Sequence, residues 1–386
     1  MGQGQRGERG GTATAWPDAG PWHEIANVDE VASPALAFYP DRIEENIRRM
    51  IRIAGRAERL RPHVKTHKCA EIVRLQLAQG IRAFKCSTIA EAEMAAAAGA
   101  PDVLLAMQPV GPAIGRFLAL QREYPATAFG AIADAERVIA EIGRAASEAG
   151  TVARLWLDVN SGMNRTGIAP GAEAARLYGL IHAAPGLRAG GLHVYDGHIH
   201  EPDPAARAAR CDAEFAPVAR LIDALAADGL PVPAVVAGGS PTFPIHAKRA
   251  GVELSPGTPL LWDAGYGRAY PDLDFLVSAV LVSRVVSKPA GRLVCLDLGT
   301  KAVASEMPQP RAVLLGIGEH RVAAHNEEHL VIEVPDPDRY QPGGVVYAVP
   351  IHICPTVARY ETAHVVRNGR RAGEWTIAAR NRRITI

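Results

Sequence analysis

The chain is 386 residues long, with 42 lysines and arginines against 41 aspartates and glutamates and 48% apolar residues. That is ample material for one large core plus a smaller domain, and a charge near zero offers nothing to draw nucleic acid or a membrane surface. No apolar run approaches the charge-free length of about 18 residues that marks a membrane span, so no transmembrane helix is expected. Residues 1–20, rich in Gly, Arg, Thr and Ala, lack the apolar core of a secretory signal and read as a disordered tail, which points to a cytoplasmic protein. The five cysteines, Cys69, Cys86, Cys211, Cys295 and Cys354, are odd in number and scattered, which argues against a disulfide framework.

In chain order, an apolar run at 34–39 ends at Pro40, and Asp41 is placed to N-cap a helix to about residue 54, whose Ile43, Ile47, Met50 and Ile51 share one face. Strands are then expected at 60–65, 81–86, 103–108, 126–132, 152–159, 188–195, 233–237 and 252–255. Helical patterns fall between them at 69–79, 90–98, 113–121, 134–148, 171–184 and 204–228. Eight strands at helix-sized intervals predict an α/β fold, a parallel (βα)8 barrel of TIM type over residues 21–275. From about 276 the texture changes to short apolar runs punctuated by Gly and Pro, at 276–287, 292–298, 311–316, 329–334, 344–351, 363–367 and 374–379. Residues 276–386 therefore read as a second, C-terminal β domain, into which the segment before the barrel is free to fold.

Active sites of such barrels lie at the C-terminal ends of the strands, which here carry Lys65, Ser87, Thr88, Gln108, Asn160, Arg165, Tyr195, His198, the glycines and serine of 238–240, Gly257 and Thr258. Lys65 sits in Arg61-Pro-His-Val-Lys-Thr-His-Lys68. An amine crowded by Arg61, Lys68 and two histidines has the chemistry to form a Schiff base with an aldehyde, and a solvated basic loop is the alternative. Gly238-Gly-Ser-Pro-Thr242 after the seventh strand and Ser255-Pro-Gly-Thr258 after the eighth let backbone N–H groups approach a phosphate, although each alone is ordinary turn chemistry. Arg165 on the fifth loop offers a fixed cation for a phenolate or carboxylate, or else a salt bridge at the rim. Among His193, Tyr195, His198 and His200, Tyr195 is best suited to pack on a planar cofactor, with the histidines as satisfied rim groups or ligand contacts. His352-Ile-Cys354, read as extended, puts imidazole and thiolate on one face. That pair suits zinc and leaves positions open for water and substrate, although His-x-Cys also arises by chance.

With these residues in view, the chain resembles the pyridoxal-phosphate enzymes built on an alanine-racemase-type barrel, in the branch of D-threonine aldolases and D-serine dehydratases. The motif Arg61-Pro-His-Val-Lys-Thr-His-Lys68 carries the resemblance, which covers about Pro34 to Ile386. It implies that Lys65 holds pyridoxal 5'-phosphate as a Schiff base, that Arg165, Tyr195, Gly239, Ser240, Gly257 and Thr258 surround the cofactor, and that His352 and Cys354 bind a divalent metal, zinc or manganese. It also implies a catalytic part for Lys65 and His352, a small D-amino acid as substrate, and a homodimer. The stretches Asp297-Leu-Gly-Thr-Lys301, Asn326-Glu-Glu-His329 and Ala378-Ala-Arg-Asn-Arg-Arg-Ile-Thr-Ile386 are most similar to the aldolases, so the expected reaction is cleavage of a D-3-hydroxy amino acid to glycine and an aldehyde. Dehydration to a 2-oxo acid and ammonia is the alternative, because Cys354 stands where some aldolases have Asp and where the dehydratases use a thiol. A non-catalytic cofactor carrier is a third reading, which leaves the β domain and the metal pair without a task. Ser255 stands where alanine racemases place an arginine against the pyridine nitrogen, which argues against a racemase.

Overall fold

The computed structural model describes residues 20–386, so the expected disordered tail at 1–20 lies, but for Gly20, outside the described residues. The chain divides into two compact units. One takes the described residues up to Pro40 with Asp263–Gly265 and Val277–Glu374; the other takes Asp41–Trp262, Tyr266–Leu276 and Trp375–Ile386.

The first strand, β1 (Ala35–Phe38), belongs to the former unit. A helix follows over Pro40–Ala54; Pro40, not Asp41, opens it, as suits a residue with fixed φ and no N–H. The barrel unit is a parallel sheet of seven strands in sequence order: β2 (Ala83–Cys86), β3 (Asp102–Leu105), β4 (Ala128–Ala133), β5 (Ala153–Val159), β6 (Leu187–Val194), β7 (Val235–Ala237) and β8 (Val252–Leu254). Helices alternate with the strands from Ala70–Ala78 to Pro204–Ala227, and the apolar runs of the strands are buried on both faces.

The strand expected at 60–65 does not form. Pro62 has no N–H to give a ladder, so residues 60–63 make single parallel bridges instead, Leu60 to Leu254 on one side and His63 to Lys85 on the other. Arg61 N–H donates to Leu254 O at 2.8 Å, His63 N–H to Pro256 O at 2.9 Å and Lys85 N–H to Pro62 O at 2.9 Å. This bridge segment takes the eighth place and closes the ring. Between β7 and β8 the connection carries only the four-residue helix Phe243–His246.

Inside the ring, Trp156 of β5 packs with Leu104, Ile132 and Val236. Neighbouring strands make room for it with Gly130 and Gly190, where an added Cβ would stand 2.2 and 2.5 Å from its ring. Toward the N-terminal ends of the strands, Arg61 pairs with Asp102 at 2.6 Å and Glu253 at 2.5 Å, and Arg154 pairs with Asp102 at 2.8 Å. Both guanidinium groups lie over the Trp156 ring, at 5.7 and 4.6 Å.

The second unit is a nine-stranded sheet. Its later strands are β9 (Ala279–Ser287), β10 (Leu293–Leu296), β11 (Ala312–Leu315), β12 (Arg321–His325), β13 (Leu330–Glu333), β14 (Val345–Pro350), β15 (Thr362–Arg367) and β16 (Arg370–Thr376). The order is β12-β13-β10-β9-β1-β15-β16, with β14 pairing both β9 and β11. β1 lies antiparallel to β9, with Ala35 opposite Val282, and parallel to β15, with Ala37 opposite His364. β12 is absent from the expected strands because Val322 is its only bulky apolar residue. None of the five cysteines is joined in a disulfide, and no described helix is long and apolar enough to cross a membrane.

Candidate functional site

In the barrel unit, Lys65 lies on the 3-10 turn Val64–Thr66 that leaves the bridge segment, and its N–H donates to His63 Nδ1 at 3.3 Å. Its Nζ stands 5.8 Å from the centre of the Tyr195 ring, which Lys85 Nζ and the Arg165 guanidinium also face, at 5.2 and 5.0 Å. Three cations thus converge on one aromatic ring. Two that the sequence suggested beside Lys65 are engaged elsewhere: Arg61 by Asp102 and Glu253, Lys68 by the buried carboxylate of Glu91. Of the two histidines, His63 remains close. Because Lys65 N–H donates to its Nδ1, its proton sits on Nε2, which donates to Ser87 Oγ at 3.1 Å. Burial first, then Lys65 and Lys85, hold His63 well below the ordinary imidazole range.

Sequence reasoning missed Lys85. It is 2% exposed, and its Nζ donates to Ser255 Oγ at 2.5 Å. Burial, followed by the neighbouring Lys65, outweighs Asp196 and Asp158 and draws its amine down to about 7. The signal was present in Ala83-Phe-Lys-Cys86, where strand alternation puts Lys85 on the face opposite Phe84 and Cys86. Also missed was the pair formed by His193 and Asp158. The ring donates Nδ1–H to Asp158 Oδ1 at 2.6 Å, which leaves Nε2 buried and without a partner. Burial foremost keeps His193 below its ordinary range. His198 meets Glu214 at 2.5 Å, and His200 is exposed.

The two glycine loops come together. Ser240 Oγ accepts from Thr258 N–H at 3.3 Å, and at Gly257 an added Cβ would stand 3.0 Å from His63 O. Beneath them Asp196, fully surrounded, accepts from Gly239 N–H at 3.0 Å, the Thr242 hydroxyl at 2.8 Å and His246 Nε2 at 2.8 Å. Asp196, Cys211 and His246 bring their ligand atoms within 4.8 Å of one another, the one group of three among the described residues that could hold a metal. Arg249 donates to His246 Nδ1 at 3.0 Å, however, so Nε2 carries the proton and would have to lose it before ligating. An amine, an aromatic ring, hydroxyl and glycine loops and an orphaned imidazole nitrogen are together what a planar, phosphorylated aldehyde requires.

His352 and Cys354 belong to the other unit and are not on an extended segment. The chain turns from β14 into the short helix Ile353–Val357, with His352 at its N-cap, because Asp263 Oδ2 accepts Ile353 N–H at 3.0 Å and Thr356 Oγ1 donates to His352 O at 2.8 Å. The two side chains meet all the same, the Cys354 sulfur accepting a hydrogen bond from the imidazole. His352 Nδ1 also lies 2.6 Å from Glu306 Oε1. Burial pulls His352 down, but Cys354, Asp263 and Glu306 outweigh it and push it up to about 9. A thiol, an imidazole and flanking carboxylates are a donor set of the right chemistry for a divalent metal.

Residues 39–261 match the family described as alanine racemase, N-terminal domain, and residues 278–366 match a putative serine dehydratase domain. The chain is 32% identical over 373 residues to a D-threonine aldolase from Arthrobacter sp., covering 94% of this chain and 96% of that one. The crystal structure of D-threonine aldolase from Filomicrobium marinum is similar with a TM-score of 0.84 at 29% identity, covering 91% of this chain and 96% of that one. D-threo-3-hydroxyaspartate dehydratase from Delftia sp. HT23 gives a TM-score of 0.78 at 26% identity over 90% of this chain and 97% of that one; a Cys-to-Ala mutant of it has been solved in the metal-free form. The chain therefore belongs to the alanine-racemase-type barrel family, in the branch that carries a serine-dehydratase-type β domain and includes D-threonine aldolases and D-threo-3-hydroxyaspartate dehydratase.

Proposed function

We propose that the protein is a lyase dependent on pyridoxal 5'-phosphate and a divalent metal, which cleaves D-3-hydroxy amino acids such as D-threonine to glycine and an aldehyde, as a cytoplasmic homodimer. The observation that carries this reading is Lys65, an amine held against the Tyr195 ring in a chain that matches a D-threonine aldolase over 94% of its length. Lys65 Nζ is the atom to which the cofactor would attach, Tyr195 and Arg165 would flank its ring, and Gly239, Ser240, Gly257 and Thr258 would take its phosphate. His352 and Cys354 would hold zinc or manganese. When bound, the cofactor supplies an electron sink for charge left on the substrate α-carbon, and the metal a Lewis acid that lowers the pKa of a hydroxyl. Asp158 fixes the tautomer of His193, so that Nε2 presents a bare lone pair to a ligand proton. Asp196 braces Gly239 from below and keeps the loop of residues 238–242 in shape for an anion.

Cys354 supports a second reading, dehydration, since the Delftia dehydratase has been solved metal-free as a Cys-to-Ala mutant. Incubating the cofactor- and metal-loaded protein with D-threonine and D-serine separates the two. Glycine with acetaldehyde is the expected result; ammonia with a 2-oxo acid would move the assignment to the dehydratase, and no product from these or bulkier D-3-hydroxy substrates would overturn the lyase.

A further inference from the structure

Lys85 is a buried lysine that forms no ion pair with any described residue. The groups that face it come from every neighbouring wall: Lys65 and His63 from the bridge segment and its turn, Asp158 and Arg165 from β5 and its loop, and His193, Tyr195 and Asp196 from β6 and the turn after it. Asp196 is already engaged by His246, Thr242 and Gly239, and Asp158 by His193 through Oδ1, while Asp158 Oδ2 is buried without a hydrogen-bond partner. Ser255 gives its own proton to Gly238 O at 2.9 Å and so accepts from Lys85 at 2.5 Å. An ammonium group has three donors, and a buried charge without a partner is costly, so a lysine kept here for packing alone would be a poor choice. His193 Nε2, on β6, is also buried and unpartnered. The spare donors of Lys85 and the unmet His193 Nε2 and Asp158 Oδ2 on walls of the same barrel, beside a ring that Lys65 also faces, mark a place that a ligand completes.

We propose that Lys85 is a positioning residue for the cofactor ring: tethered to Ser255 and laid against Tyr195, its Nζ donates to the bound pyridoxal ring and, by gaining or losing its proton, sets the charge state of that ring. The inference rests on the reading that Lys65 holds the cofactor. Burial has already brought the Lys85 amine down to about 7, so both of its protonation states are reached near neutrality.

The test loads the wild type, Lys85→Met and Lys85→Arg with pyridoxal 5'-phosphate and traps the bound cofactor with borohydride. Peptide mapping then locates the label, and visible absorbance is followed from about pH 5.5 to about 9.5, a range that brackets a lysine depressed to neutrality. The label is expected on Lys65 in all three proteins. The wild-type band should change through one step near neutrality, Lys85→Met should lose the step and keep the alkaline-side spectrum, and Lys85→Arg should keep the acid-side spectrum throughout. A residue of merely structural importance would not split the two variants in this way. A wild type without label on Lys65 overturns the cofactor reading and this inference with it. Label on Lys65 combined with a wild type that shows no step, or with a Lys85→Met protein that titrates like the wild type, overturns the inference alone. Should Lys85→Met fail to fold, the wild-type titration and Lys85→Arg still decide.

Discussion

The two ends of the barrel place cations in opposite circumstances. At the N-terminal end, Arg61 and Arg154 are matched by Asp102 and Glu253 and stacked over Trp156. Burial alone would lower Arg61 and raise Asp102, yet Glu253 and Asp102 in the one case and Arg61 and Arg154 in the other reverse both shifts, so the charges of the network are paired. At the C-terminal end, Lys65, Lys85 and Arg165 face one tyrosine, and His193 Nε2 has no partner. One end of the same ring completes its charges internally and contributes to the fold; the other leaves them incomplete and is available for chemistry, which is the division expected of this architecture.

Substitutions can break that contrast. At the open end, Lys65→Ala should abolish covalent cofactor retention and lower cleavage by on the order of a thousandfold, about 4 kcal/mol of barrier, with little change in melting temperature. Steady-state rates beside thermal unfolding would check this, and retained turnover would remove Lys65 from the chemistry. At the closed end, Arg61→Ala should do the reverse: it strands Glu253, leaves Asp102 with Arg154 alone and should cost about 3–5 kcal/mol of stability, read by denaturant unfolding. A midpoint within error of the wild type would show that the network is dispensable. Asp196→Asn, which weakens the brace on Gly239, should loosen cofactor binding about tenfold, roughly 1.4 kcal/mol, while the metal content of the β unit stays unchanged. Equilibrium dialysis with elemental analysis measures both.

A further measurement sharpens the comparison through pH. Lys85 is depressed from 10.5 to about 7 in the fold, so between those values the unfolded chain binds the extra proton. Its contribution to stability is therefore present in full above the unfolded value and is lost as pH falls through the folded one. In cofactor-free protein, the melting temperature of the wild type should gain on that of Lys85→Met as pH rises from about 6 to about 9. A constant difference between the two would mean that Lys85 does not change its protonation on folding.

Much of the barrel was legible because apolar runs of strand length alternate with helical patterns, and seven of the eight runs are strands. The eighth was obscured by Pro62, which keeps the place in the ring but not the ladder. Within the motif around Lys65, proximity in sequence misled. Arg61 and Lys68 are four and three positions away, yet the backbone turns their side chains to Asp102 and Glu253 in one case and to Glu91 in the other. Lys85 went unnoticed because a lone lysine in a short strand is read as an edge or surface residue, whereas in a closed ring the opposite face looks inward. For His352 and Cys354 the pairing was readable and its geometry was not, since the turn that joins them depends on Asp263, distant in sequence.

The bridge segment has a consequence for how the molecule comes into being. Residues 60–63 are made early, but they hydrogen-bond on one side to Leu254 and Pro256, which leave the ribosome only after nearly all of the barrel sequence. Such a long-range closure is a slow contact to form, and it carries Lys65 on its far end. A truncated or half-folded chain would thus lack the seat for its reactive amine, and only a completed ring would be able to take up cofactor.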